Sequence, residues 1–118
     1  MTPEAKVKKE IDAYLDSIGA FYRKPVVTGY GPRLVDYIGC YKGRFFAIEA
    51  KKPKDELTGR PAGKPTAQQA IFLRDVYKAG GIAIVASCIE DVDYAIQHAI
   101  NGDCPWIDHT LEAWIDDE

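Results

Sequence analysis

The chain has little of what soft metals or redox chemistry need. Its three cysteines, Cys40, Cys88 and Cys104, form an odd and scattered set without a Cys-x-x-Cys pair. Neither a disulfide framework nor a zinc site is indicated. The two histidines, His98 and His109, lie far apart without ligand spacing and read as structural residues. No apolar run is long enough to span a bilayer, and no signal-peptide pattern opens the sequence. The expected setting is therefore reducing and cytoplasmic, with no membrane partner. Internal repeats and low-complexity segments are also missing.

What remains is a chain of 118 residues, 47% hydrophobic and 28% charged. That suffices for one compact domain with a real core and excludes a disordered chain. The net charge of -3 argues weakly against a nucleic-acid partner, but its distribution argues the other way. Residues 1–65 hold 13 Lys and Arg against 8 Asp and Glu, whereas residues 66–118 hold 2 against 10. One side then faces a polyanion and the other faces solvent or a partner, unless the segregation is chance.

Thr2-Pro3 reads as the cap and first position of a helix, with Val7, Ile11, Tyr14, Leu15 and Ile18 on one stripe and Gly19 as its stop. Phe21 to Val27, Leu34 to Tyr41 and Arg44 to Lys51 read as three strands, the first two separated by the turn-prone Gly29-Tyr30-Gly31-Pro32. Pro53 to Pro65 is a loop. A second helix starts at Thr66 and stops at Gly80-Gly81. Ile82 to Ala86 is a short apolar strand of a sheet interior. A third helix begins near Ser87, with Ser87-x-x-Glu90 available as a capping box. The expected fold is α/β, a single domain over 1–118 with a mixed central sheet and element order α-β-β-β-α-β-α. Its core covers about residues 2–100. Residues 101–118 form an acidic tail, where Trp106 and Trp114 serve packing or a dimer contact.

The second hairpin raises a chemical question. Phe45 to Ile48 is as apolar as a buried strand, yet Glu49 and Lys51 follow on one face. With Lys42-Gly43 as a two-residue turn, Tyr41 pairs with Arg44, Ile38 with Ala47, and Asp36 falls opposite Glu49. Opposed carboxylates about 5 Å apart need a cation, or one must protonate. Lys51 offers one positive charge and a divalent metal offers two. The Ala50 carbonyl can add an oxygen to a sparse Mg²⁺ site completed by waters. The alternative is three solvated charges at strand ends.

Asp36-x(12)-Glu49-x-Lys51, with Glu49-Ala50-Lys51 as its second half, resembles the motif of the PD-(D/E)XK nuclease superfamily. The opening TPEAKVKKEIDAYLDSIGA and the later TAQQAIFLRDVYKAGGIAIVASCIEDV resemble the VRR-Nuc family within it, over most of residues 2–100. Val35 departs from the signature proline before the aspartate, which loosens the identification of Asp36. The resemblance implies a restriction-endonuclease-like core, an early active-site glutamate in Glu4, and a helix-opening Thr66/Gln69 pair. Glu4 extends the apolar stripe of the first helix toward the core. It is either a site acid and possible metal ligand or a first-turn acid that complements the helix dipole. Gln69 either reaches the site or closes a capping box on Thr66.

The chemistry so implied is Mg²⁺- or Mn²⁺-dependent phosphodiester hydrolysis. Asp36, Glu49 and the Ala50 carbonyl are the metal ligands, and Lys51 orients or deprotonates water or stabilises the developing charge. Arg23, Lys24, Arg33, Lys52, Lys54, Arg60 and Lys64 are the expected phosphate contacts, which confer affinity but little sequence preference. Tyr30 and Tyr41 are either stacking surfaces for unpaired bases or packing residues. Small stand-alone members of the family, of the phage type, look like junction-resolving enzymes. The expectation is therefore an endonuclease for branched DNA in the cytoplasm (the host's, if phage-encoded), acting as a C2 homodimer on four-way junctions. The competing expectations are a nucleic-acid-binding module without turnover, or a nuclease subunit acting on flap DNA or RNA.

Overall fold

Local signals fix most element ends. The computed structural model describes residues 1–25 and 34–102. Thr2 caps the first helix, α1 (Pro3–Ile18), its hydroxyl accepting from the Ala5 N–H at 3.1 Å. Gly19, in the left-handed region at φ 74°, ends it. Val7, Ile11 and Leu15 bury the expected stripe. Two strands, β2 (Tyr37–Tyr41) and β3 (Arg44–Ala50), are joined by Lys42 and Gly43, both at positive φ (49° and 82°). That is the turn whose twist matches a hairpin, and it sets the register that pairs Tyr41 with Arg44 and Ile38 with Ala47.

The remaining elements are β1 (Phe21–Arg23), α2 (Ala67–Lys78), β4 (Ile82–Ala86) and α3 (Ile89–Ile100). The described residues thus form one α/β domain of three helices and a four-stranded mixed sheet, in sheet order β1-β2-β3-β4. The first two pairings are antiparallel, and β4 joins β3 in parallel after the α2 crossover. One face of the sheet, with Tyr37, Phe46, Ile48 and Ile84, packs on α1 and α3. The other, with Ala47, Ala83 and Val85, packs on Ala70 and Leu73 of α2. No helix among the described residues is long and apolar enough to cross a membrane.

Three expectations need correction. β1 ends at Arg23, leaving Lys24 and Pro25 outside the expected strand, whose last two positions lie outside the described residues; Pro25 lacks the N–H that a longer ladder would use. β2 begins at Tyr37, not Leu34, because the chain bends at Asp36 and its N–H bonds a side chain instead of the ladder. The bend also breaks alternation, so Val35 is buried with Ala47 in the cluster beneath α2. At α3 the Ser87/Glu90 capping box does not form. Cys88 occupies the cap without a side-chain bond, and the Asp91 carboxylate accepts from the Ser87 N–H at 3.0 Å. By contrast, the Thr66/Gln69 box is complete.

A single side chain fastens both helical layers at the turn end of β3. Arg44 donates through Nη2 to the Gly80 carbonyl (3.0 Å), just past α2, and through Nη1 to the Ala99 carbonyl (3.3 Å) in the last turn of α3. These carbonyls belong to helix ends, where intrahelical partners run out.

Candidate functional site

At the opposite end of β3 the β2–β3 ladder gives way to side chains. The Asp36 N–H donates to Glu49 Oε1 (3.1 Å), and the Ala50 N–H donates to Asp36 Oδ2 (2.9 Å). Each carboxylate is therefore held by a backbone N–H of the opposing strand. The second oxygen of each meets an ammonium: Glu49 Oε2 lies 2.9 Å from Lys51 Nζ, and Asp36 Oδ1 lies 3.4 Å from Lys8 Nζ. Glu49 is only 3% exposed and Lys51 16%. Burial pushes the Glu49 carboxyl up to about 7; Lys51 opposes that rise and Asp36 adds to it.

The arrangement joins three residues expected from the sequence, Asp36, Glu49 and Lys51, and adds Lys8. Lys8 sits one helical turn after Glu4, so the count that drew attention to Glu4 also reaches it. Its turn of α1 is anchored beside the site. The Tyr37 hydroxyl donates to Asp12 Oδ1 (2.7 Å), with the Lys8 carbonyl also within reach (3.0 Å). Glu4 lies half-buried in the first turn of α1. It makes no three-membered acid cluster with Asp36 and Glu49: among the described residues no such group of His, Cys, Asp or Glu occurs. Gln69 is buried, and its Oε1 accepts from the Thr66 N–H at 2.9 Å, so the capping role is realised.

The donor set fits a hard divalent cation. Two carboxylates and a nearby carbonyl, at Ala50, are oxygen donors of the kind Mg²⁺ and Mn²⁺ accept alongside waters and substrate oxygens. The two lysines approach Asp36 Oδ1 and Glu49 Oε2.

The expected phosphate contacts divide into two groups. Lys52, Lys54, Arg60 and Lys64 are exposed on the loop after β3. That loop is tied across itself by Gly63 N–H to Lys52 O (3.0 Å) and Asp55 N–H to Arg60 O (2.9 Å). Lys52, Lys54 and Arg60 line a cleft of about 490 Å³ against Pro3 at the start of α1. Gly63 leaves room for Lys51: a Cβ there would sit 3.3 Å from Lys51 Cβ. Arg23 and Lys24 are instead engaged locally, Arg23 over the Phe21 ring at 4.4 Å and Lys24 in an ion pair with Asp12. Arg33, Tyr30, Trp106 and Trp114 lie outside the described residues. No protein-family model and no curated protein matches this chain, so the chemistry of the site is argued from its own residues.

Proposed function

We propose that the chain is a divalent-metal-dependent endonuclease of the PD-(D/E)XK type, similar to the VRR-Nuc family, acting on branched or structured DNA. The observation that carries this reading is the crossed bracing of Asp36 and Glu49 at a strand end, with Lys51 beside them. A buried acid and a half-buried one braced together by backbone N–H groups are costly in a structural role, since their repulsion and desolvation favour separation. They are useful where a cation must be bound. The strand–turn–strand unit followed by helix and parallel strand suits a restriction-endonuclease-like core.

When bound, Mg²⁺ or Mn²⁺ would polarise the scissile phosphate and lower the pKa of a coordinated water. Asp36, Glu49 and the Ala50 carbonyl would hold it. Lys51, steadied by Glu49, presents an ammonium that can donate to a phosphate oxygen or to the attacking water. Lys52, Lys54 and Arg60, which line a cleft, and Lys64 on the same loop would give the phosphate backbone a sequence-independent hold. Two symmetry-related copies would be required for paired cuts in a four-way junction, which makes a C2 homodimer the working assembly.

A second reading has its own support. Each acid already faces an ammonium, so neither depends on a metal for a cationic neighbour. A nucleic-acid-binding module without turnover would look the same. Cleavage of four-way DNA, flap DNA, plain duplex and RNA with Mn²⁺ separates the two. The parent should cut a branched substrate, and Asp36→Asn, Glu49→Gln and Lys51→Ala should each lose about 100-fold or more. Equal cleavage by Lys51→Ala and the parent would reject the enzyme assignment.

A further inference from the structure

Lys8 has no place in the motif, yet it pairs with Asp36 at the oxygen other than the one that accepts from Ala50. Asp36 Oδ2 accepts from Ala50, and Oδ1 is 3.4 Å from Lys8 Nζ. The position of the lysine is not casual. Its own carbonyl lies 3.0 Å from the hydroxyl of Tyr37, the residue next to Asp36, so this turn of α1 is fixed relative to the carboxylate. Its side chain, by contrast, is one-third exposed, and a lysine stem has several rotatable bonds. The backbone is placed while the ammonium can move.

We infer that Lys8 is a built-in counter-ion for Asp36 that a divalent cation must displace, and that the freed ammonium then turns to the substrate phosphodiester. The inference rests on the metal-dependent reading above and assigns Lys8 a direct contact with substrate within it. A cation drawing on Asp36 Oδ1 brings two positive charges to a place already occupied by one. Like charges at that separation do not coexist without cost. The lysine therefore lowers the affinity for metal in the free protein. It holds the acid in place beforehand and returns as a phosphate contact when substrate brings new negative charge.

The test uses the full chain and Mn²⁺, followed by calorimetry and by the electron paramagnetic resonance of free ion. Lys8→Met keeps the stem and removes the charge; Lys8→Gln is a second neutral variant should the first not fold; Lys8→Arg keeps the charge. A neutral variant with a cooperative melt should bind Mn²⁺ about 3- to 10-fold more tightly than the parent, the range expected for loss of one partly exposed ion-pair competitor. Lys8→Arg should stay near the parent. At saturating Mn²⁺ the neutral variant should cut branched DNA about 10-fold more slowly. Unchanged Mn²⁺ affinity in a folded neutral variant overturns the inference while leaving the metal site standing, provided Asp36→Asn and Glu49→Gln still weaken binding. If those two variants bind Mn²⁺ as the parent does, the metal reading itself fails and the role of Lys8 falls with it.

Discussion

Glu49 is where folding and chemistry meet most directly. Its carboxyl titrates near 7 in the fold against 4.5 ordinarily, because burial disfavours the charged form more than Lys51 favours it. The folded state thus binds this proton more tightly than the unfolded chain does. The resulting stability is fully present below about pH 4.5 and is lost as pH climbs through about 7. The metal-free parent should therefore lose stability relative to Glu49→Gln between pH 5 and 8, by on the order of 1 kcal/mol or more in denaturant titrations at each pH. If Glu49 ligates a metal as proposed, Mn²⁺ binding should strengthen over the same interval, since a ligating carboxyl must give up its proton. At this scale Asp36, Glu49 and Lys51 were legible because strand period and turn length are one-dimensional facts. Lys8 was not, because its contact with Asp36 depends on where α1 lies across the sheet end.

Elements were legible wherever a local signal sets their ends. Thr2, Gly19 and Thr66 bound helices, and Lys42-Gly43 sets a register. The beginning of β2 was not legible, since a side chain from the neighbouring strand takes the Asp36 N–H out of the ladder. The same limit applies to Gly39. Nothing in YIGCY marks this glycine as obligatory, but a Cβ there would lie 2.2 Å from the Phe21 carbonyl and 2.6 Å from Phe46 Cζ. Backbone of β1 and a fully buried ring both stand in the way. Gly39→Ala should cost about 2–3 kcal/mol in chemical denaturation, by parting β1 from β2 or tilting Phe46.

Across the molecule, the paired acids and lysines and the exposed loop cations are gathered at the end of β3 and on the loop that leaves it. Under the proposed reading, binding to branched DNA should weaken steeply with salt. Removing one exposed loop cation, as in Lys52→Ala or Lys54→Ala, should reduce the slope of log K against log salt by about one without changing which branch geometry is preferred. A slope unmoved by both substitutions would take the loop out of the interface. The other end of the strand carries Arg44, bonded to carbonyls at the ends of α2 and α3, roughly 17 Å from Glu49 by strand rise. Arg44→Ala should lower the stability by about 1–3 kcal/mol while turnover at a permissive temperature stays at the parental rate. If the proposed reading holds, heat tolerance and cutting would be vested in opposite poles of one seven-residue strand, so selection could harden this protein without blunting it.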